Sequence, residues 1–220
     1  MELNDVMRTT FSARDYTGEE LPDGLIYDLI ENARFAPSGG NRQGGHVVVV
    51  RDREVRQSLG ELCGPTLRLY AAQGAAGESP FNTVEPSEVD VATALDTPTD
   101  RFPLFENLGD VPVALVVSVD LAAVASMDKD LDRVGLVTGA SIYPLVWNIL
   151  LAARAEGLGG VVTTAVVPVE AEVRRLLNLP ETHAVAALIP LGVPTRQLTR
   201  LKRQPVEDFT TVDRFDGPPL

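Results

Sequence analysis

One stretch of the sequence, from about Leu131 to Glu156, is predicted to form a helix that is apolar on nearly every side. Val137, Leu145 and Ile149 recur at helical spacing along one face, and further large apolar residues fill the others. Pro144 is expected to bend this helix without ending it. A helix of this kind is stable only when it is covered all round. We therefore expect a second subunit to supply part of the cover, which makes the protein a homodimer.

The rest of the chain alternates short apolar runs with helical patterns. Residues 46–50 (HVVVV) and 111–120 (VPVALVVSVD) are typical of strands that are buried on both faces. Residues 157–164 and 183–194 predict two further strands, and residues 21–35 predict an amphipathic helix. Strands separated by helices indicate an α/β or α+β fold, with a small sheet flanked by helices.

An irregular segment interrupts this pattern at about residues 64–110. The preceding helical pattern is expected to end at Gly64-Pro65, and the segment is rich in Gly, Pro, Ser and Asp. It also carries Tyr70, Phe81, Phe102 and Phe105, which would be unusual in a disordered linker, and of these Tyr70, Phe102 and Phe105 are the candidates for substrate contact. We expect one domain over residues 1–220, with this segment as a lid whose aromatic rings contact the substrate.

Charge and cysteine content exclude several classes of protein. The formal net charge is −12, with 31 acidic and 19 basic residues, which argues against nucleic acid or an anionic membrane as partner. No secretory signal or membrane-spanning run is apparent. The one cysteine, Cys63, is expected to be a buried thiol, and a chain without a disulfide fits the cytoplasm. His46 and His183 lie far apart in sequence, so no metal site is expected.

Two segments suggest contact with a polar ligand. The loop APSGGNRQGG, residues 36–45, carries four glycines and is suited to bring bare backbone and short amide side chains against a flat molecule. Residues 11–16 (FSARDY) place Ser12 and Arg14 on one side of an extended segment, where a hydroxyl and a guanidinium can bind a polar edge. No P-loop or GxGxxG follows a strand, which argues against a Rossmann site.

Five short motifs occur in a fixed order along the chain. They are S-x-R-x-[FY] (residues 12–16), A-P-S-G-x-N-x-Q (36–43), G-L-G-x-x-x-T-T (157–164), L-G-x-P (191–194) and K-R-x-P (202–205). In these motifs and their order the chain resembles the FMN-dependent nitroreductase family, including the branch that contains iodotyrosine deiodinase. The resemblance covers nearly the whole chain apart from the 64–110 segment. It implies an α+β nitroreductase-like fold and an intertwined homodimer with two shared FMN sites.

The resemblance also implies roles for individual residues. The 37–41 loop would lie along the flavin, Ser12 and Arg203 would hold the ribityl chain and phosphate, and Thr163 or Thr164 would lie near N5. Arg14 would lie at the pyrimidine edge, where it can stabilise the negative charge that hydride addition leaves. None of these side chains is an evident acid or base, so no catalytic residue is assigned. The implied cofactor-binding residues are Ser12, Arg14, Pro37, Ser38, Gly39, Asn41, Gln43, Gly159, Gly160, Thr163, Thr164 and Arg203.

The chain departs from the family pattern at two places. The family often has Arg-Arg before the first motif, where this chain has Thr10 and Phe11. Arg8 and Lys202 are the candidates for the missing phosphate charge. The family often continues with Pro-Trp after the loop, where this chain has Gly44 and a second glycine. The second departure concerns the shape of the pocket and the class of substrate.

The implied activity is that of a ping-pong oxidoreductase in which NAD(P)H reduces FMN and a small planar acceptor, such as a nitroaromatic or a quinone, takes the electrons. A non-catalytic protein that sequesters FMN is an alternative. A third possibility keeps the fold and changes the reaction to dehalogenation, desaturation or flavin cleavage. The sequence does not choose between NADH and NADPH.

Overall fold

The computed structural model describes residues 1–220 and contains one four-stranded sheet with helices on both faces. The strands lie in the order β1-β2-β4-β3, and every neighbouring pair is antiparallel. The expected α+β fold with a small central sheet is confirmed. The strands are β1 (Gly45–Val50), β2 (Val113–Asp120), β3 (Gly159–Gly160) and β4 (His183–Gly192). The helices are α1 (Leu3–Thr9), α2 (Asp23–Ala33), α3 (Arg53–Ala75), α4 (Val91–Asp96), α5 (Pro103–Glu106), α6 (Tyr143–Ala155) and α7 (Glu170–Leu177).

The sheet separates two hydrophobic cores. On β2, Leu115 and Val117 point into a core shared with α2 and α6. Ala114 and Val116 point to the opposite face and into a core shared with α3, α5 and α7. Alternate residues of a strand face opposite sides, so a central strand that is covered on both sides is apolar throughout. The prediction for residues 111–120 is thus confirmed.

The prediction of a doubly buried strand is wrong for β1. This strand lies at the edge of the sheet, and only Val50 in it is fully buried. Val49 remains 37% exposed. A run of valines predicts a strand because valine has a high β-propensity, but it does not distinguish an edge strand from a central one.

The apolar helix is shorter than its pattern predicts. α6 begins at Tyr143, after a 3₁₀ turn over Val137–Ser141, and residues 131–136 are not helical. Pro144 lies in the first turn of α6 and does not bend it, because a proline is well tolerated where no intrahelical N–H bond is required. Ile149 is fully buried, but Trp147 is 45% exposed.

α3 extends beyond the predicted end at Gly64-Pro65 and continues to Ala75. A stripe at four-residue spacing, formed by Leu59, Cys63, Leu67 and Ala71, faces the core on both sides of the proline. The burial of this stripe offsets the backbone hydrogen bond that Pro65 cannot donate. The irregular segment therefore begins after residue 75 and contains the short helices α4 and α5.

Cys63 is fully buried in this core, as expected. Burial raises the pKa of its thiol to about 12, because the apolar surroundings disfavour the thiolate. Its role is therefore in packing. None of the helices has the length and apolar character that crossing a membrane requires.

The close approach of α3 to α5 gives a first testable prediction. A Cβ at Gly60 would lie 2.2 Å from the carbonyl oxygen of Phe105, whereas at Gly64, one turn later, the nearest atom at 3.2 Å is the movable guanidinium of Arg68. We expect Gly60→Ala to lower the free energy of unfolding by about 1–3 kcal/mol. Gly64→Ala should be neutral or stabilising by up to about 1 kcal/mol, because alanine favours the helix.

Urea unfolding of both variants at one protein concentration checks this prediction. Equal stability of the two variants would contradict the close approach.

Candidate functional site

A cavity of about 940 Å³ lies between the edge of the sheet and the segment that follows α3. Three groups of residues predicted from the sequence meet in its wall. They are Arg14 from the first motif, Thr163 and Thr164 from the third, and the aromatic residues Tyr70, Phe102 and Phe105. The remaining lining residues are Thr66, Leu67, Pro80, Phe81, Thr83, Leu104, Val134, Tyr143, Val161, Val162, Ala165, Val167 and Pro168.

The Ser12–Tyr16 segment is held against the sheet edge by backbone pairing. Ser12 forms a parallel bridge with Gly160, and the Ala13 N–H donates to the Gly160 carbonyl at 3.0 Å. The Tyr16 hydroxyl lies 2.7 Å from the Ala13 carbonyl and 3.1 Å from the Pro190 carbonyl. Burial raises the pKa of Tyr16, so this hydroxyl remains a donor. The backbone on either side of Arg14 is therefore fixed.

The two glycines of β3 permit this arrangement. A Cβ at Gly159 would lie 2.7 Å from the Cβ of Ala13, and a Cβ at Gly160 would lie 2.6 Å from Leu191. Both residues are buried. The structure thus gives them a packing role that any larger residue would disrupt. Their predicted part in cofactor binding stays a prediction.

Thr163 and Thr164 follow β3 in the chain, at the same edge of the sheet. Thr163 exchanges backbone hydrogen bonds of 2.9 Å with Leu188 of β4, which anchors it to the sheet. Its hydroxyl accepts from the Ala165 N–H at 3.2 Å, and its proton remains free for a ligand. Thr164 is exposed to the cavity mouth, and its carbonyl accepts from Val167 at 2.9 Å.

The aromatic residues form the wall opposite these polar groups. Tyr70 on α3 lies 6.4 Å from Phe81 and 6.0 Å from Phe102, measured between ring centroids. The Tyr70–Phe102 pair is edge-to-face, at 83° between planes. Phe105 differs from the others because it is 8% exposed and belongs mainly to the core.

Two lining aromatics were missed as site residues. Phe81 and Tyr143 both face the cavity. Tyr143 lies in the stretch predicted as a bent helix, and only its place in the first turn of α6 directs its ring outward. Its hydroxyl donates to the Ala186 carbonyl at 3.2 Å. No sequence signal distinguishes Phe81 from the other scattered aromatics of the segment.

The glycine-rich loop lies outside the cavity wall of its own chain. The backbone takes left-handed values at Gly40 and Asn41, with φ of 61° and 53°. The Gly39 N–H donates to the Ser141 hydroxyl at 3.1 Å, and the Gln43 N–H donates to the Ser38 hydroxyl at 3.0 Å. The loop, including Pro37, is thus shaped by its own hydrogen bonds and presents an outward surface.

The cations predicted at the site have no acidic partners. Arg14, Arg8, Lys202 and Arg203 are exposed, and none is within 4.0 Å of a carboxylate oxygen. Of these, only Arg14 lines the cavity. Arg203 donates to the Lys202 carbonyl at 2.6 Å. In a chain with a net charge of −12, unpaired cations are available for an anionic ligand.

A buried carboxylate supports another part of the wall. Asp128 is 3% exposed and accepts from the N–H groups of Leu136 at 2.6 Å and Val137 at 3.3 Å, and from Arg133 at 2.9 Å. These bonds close the loop that carries Val134 into the cavity. The Leu136 N–H is the main cause that lowers the pKa of Asp128 from 3.8 to about 2.

The fold and the site together define an α+β protein with a ligand cavity at the edge of an antiparallel sheet. The sequence model of the nitroreductase family matches residues 7–193 of this chain. The chain belongs to the nitroreductase family.

Relatives and solved structures agree with this assignment. An NADH dehydrogenase of Thermus thermophilus is 30% identical over 197 residues, which covers 89% of this chain and 88% of the relative. The NADPH:FMN oxidoreductase of Vibrio harveyi complexed with NAD⁺ superimposes with a TM-score of 0.67 at 21% identity, covering 97% of this chain and 77% of that one. An iodotyrosine deiodinase bound to FMN and 3-iodo-L-tyrosine has a TM-score of 0.69 at 20% identity, covering 97% and 100%.

The loop closed by Asp128 predicts a pH dependence. A carboxyl whose pKa is lowered by folding stabilises the protein above its usual value of 3.8, and the stabilisation is lost as the pH falls toward 2. Asp128→Asn should be less stable than the wild type at pH 6, and the difference should shrink between about pH 4 and pH 2. Urea unfolding at several pH values measures this.

Asp130→Asn is the matched control, since Asp130 is exposed and the charge change is the same. A constant difference between wild type and Asp128→Asn over this pH range would refute the role of the carboxylate.

Proposed function

We propose that this protein is an FMN-dependent oxidoreductase that takes reducing equivalents from NAD(P)H and passes them to a small planar acceptor. The observation that carries the proposal is the cavity in which unpaired Arg14 and two threonines face a wall of aromatic and aliphatic side chains. Membership of the nitroreductase family supports it, as do the similarity to an NADH dehydrogenase and the fold shared with an NADPH:FMN oxidoreductase.

The residues present fit FMN. A flavin has a flat ring system with one polar edge, and the cavity offers apolar walls together with a single charged group at Arg14. Thr163 and Thr164 each offer a hydroxyl beside it. The unpaired Lys202 and Arg203 are suited to bind a phosphate, although in this chain alone they lie outside the cavity. FMN would supply the transfer of hydride or electrons between the two substrates.

The protein's own residues would orient the flavin and exclude water from it. Arg14, which follows the backbone bonds that fix Ala13, would stabilise negative charge at the pyrimidine edge. The segment after α3 would act as a lid, and its Phe102, together with Tyr70 on α3, would keep water from the ring. We thus propose that the irregular segment predicted from the sequence is a lid, and that it begins after residue 75.

The character of the wall favours an uncharged acceptor. Arg14 is the only charged residue that lines the cavity, and no carboxylate reaches it. An amino acid substrate such as iodotyrosine carries an ammonium group, which requires an acidic or other polar partner when it is buried. Nitroaromatics and quinones need no such partner. Because no carboxylate lines the cavity to pair with an ammonium group, we propose these acceptors ahead of dehalogenation of an amino acid.

The visible spectrum of the purified protein tests the proposal. We expect bound flavin that bleaches when NADPH or NADH is added without air and recovers when menadione is added. Bound flavin that does not bleach with either nucleotide would favour an FMN-sequestering protein. Recovery with 3-iodotyrosine but not with menadione would favour the dehalogenase.

Removal of the charge at Arg14 should make the flavin harder to reduce. We expect Arg14→Ala to lower the midpoint potential of bound FMN by about 30–60 mV, which corresponds to the loss of one charge-assisted hydrogen bond in a two-electron couple. Arg175→Ala changes the net charge equally at an exposed position of α7 outside the cavity and should leave the potential unchanged. Equal potentials for wild type and Arg14→Ala would remove Arg14 from the flavin.

We further propose an intertwined homodimer in which two chains build each FMN site. Arg14 and the threonines would come from one chain, with Arg203 beside them, and the 37–41 loop from the other. The position of that loop outside the cavity of its own chain supports this division. A cytoplasmic location stays a prediction from the sequence.

The C-terminal segment supports the dimer. Residues 206–220 form a turn closed by a bridge between Thr211 and Pro219, yet they bury almost nothing against their own chain. Phe209 is 64% exposed and Phe215 fully exposed. A shaped segment with exposed aromatic rings is typical of an interface, and permanent dimers bury about 2,000–5,000 Å².

Truncation after Pro205 should therefore convert dimer to monomer and reduce bound FMN. Light scattering over a range of protein concentrations and the ratio of flavin to protein absorbance measure the two effects. Phe209→Asp with Phe215→Asp should have the same effect in the full chain, because buried charges oppose association. Asp213→Asn, in the same turn, is the control. A wild-type monomer that is loaded with FMN at low concentration would rule out the obligate dimer.

A further inference from the structure

Phe81 has a backbone conformation that a bulky side chain rarely adopts. Its φ is +55°, in the left-handed region. The other residues with positive φ outside glycine are Asn41, Gln43, Asn178 and Asp213. Asparagine and aspartate tolerate this region, whereas an aromatic residue in it is an outlier. Such strain persists only where the surroundings impose it.

The left-handed conformation of Phe81 is imposed by the end of α3. The helix closes in a Schellman motif, with Gly77 at φ +80°, the Gly77 N–H donating to the Gly74 carbonyl at 3.2 Å, and the Glu78 N–H donating to the Gln73 carbonyl at 3.0 Å. The side chain of Gln73 then turns the chain again, because its Oε1 accepts from the Phe81 N–H at 3.1 Å.

Gln73 is itself well fixed. It is 6% exposed, which is unusual for an amide side chain, and it does not line the cavity. The atom that faces Phe81 must be the amide oxygen, since a backbone N–H can only donate. Beyond Phe81, the Asn82 side chain accepts from the N–H groups of Val84 at 2.7 Å and Glu85 at 3.0 Å. The backbone is thus held on both sides of the strained residue.

The strain is not offset by burial of the Phe81 ring in a core. Phe81 is 45% exposed, in contrast to Phe105 at 8%. Its ring lines the cavity and lies 33° from the plane of Tyr70. A strained backbone that holds a half-exposed ring at a cavity indicates a functional constraint, because packing alone does not require it.

We propose that Phe81 is a specificity-determining residue for the second substrate, and that Gln73 is a positioning residue that holds the Phe81 ring against a planar, uncharged acceptor. The inference rests on the proposed function in that it names the residue on which the acceptor stacks. An aromatic face binds a neutral ring by offset or edge contact and gives a charged amino acid group no partner. The remaining wall, which carries no charge apart from Arg14, is consistent with this choice.

Binding of menadione to the FMN-loaded protein, measured by equilibrium dialysis without any nucleotide, tests the proposal. We expect Phe81→Asn and Phe81→Leu to raise the Kd about threefold to tenfold, as for the loss of one aromatic contact. Gln73→Met should raise the Kd in the same direction although its side chain does not face the ligand. Val84→Ala lies in the same segment outside the cavity and should leave the Kd unchanged.

The melting temperature separates this role from packing. Phe81→Asn should not lower it, since asparagine tolerates the left-handed region. An unchanged Kd with a lowered melting temperature would overturn the proposal in favour of packing. An unchanged Kd for Gln73→Met, with a raised Kd for both Phe81 variants, would overturn the positioning role of Gln73.

Kinetics distinguish failure of this inference from failure of the proposed function. In the Phe81 variants the KM for menadione should rise, whereas bleaching of the wild type by NADPH tests the proposed function on its own. If the wild type does not bleach, the proposed function fails, and the Kd series still decides whether Phe81 contacts the ring.

Discussion

The structure of the site depends on the close contact between the N-terminal segment and the two glycines of β3. Backbone pairing of Ser12 and Ala13 with Gly160 requires that no side chain projects from Gly159, where a Cβ would lie 2.7 Å from the Cβ of Ala13. At Gly160 a Cβ would instead clash with Leu191 of β4. The backbone pairing extends the sheet by one short parallel partner. It thereby places Arg14, near the start of the chain, in the same cavity wall as Thr163 and Thr164, which follow β3.

The opposite wall depends on the length of α3. Because this helix continues past Pro65 for a further ten residues, Tyr70 reaches the cavity and the Schellman turn at Gly77 starts the segment that returns over it. The segment after α3 is held to this helix by hydrogen bonds from side chains at several positions along it. Gln57 contacts Glu106 and Gly109, Arg68 donates to the Leu95 carbonyl at 2.6 Å, and Gln73 holds Phe81. A segment with this many polar anchors is expected to open by breaking local bonds and not by drifting as a disordered loop.

The sequence predicts the elements better than their ends. The helix over residues 21–35 and the central strand β2 were predictable because their apolar residues face a core at the expected period. Pro65 and Pro144 misled the prediction in opposite ways. The pattern predicts a helix end at Pro65, which lies inside α3 because a buried stripe continues past it. It predicts a bend at Pro144, which lies in the first turn of α6. Tertiary packing decided both, and local pattern does not contain it.

The same limit applies to the candidate site. Arg14, Thr163 and Thr164 were predictable from short motifs, since such motifs encode local backbone and side-chain types. Phe81 was not, because its importance lies in a backbone angle set by an amide eight residues earlier. The loop at residues 37–41 shows a third case, in which a motif is recognisable but one chain does not bring it to the cavity. Its hydrogen bonds to Ser141 and within itself complete its shape without a ligand, so its surface is preformed. A polar loop that lies outside the cavity of its own chain is consistent with the proposal that a second copy of the chain completes the site.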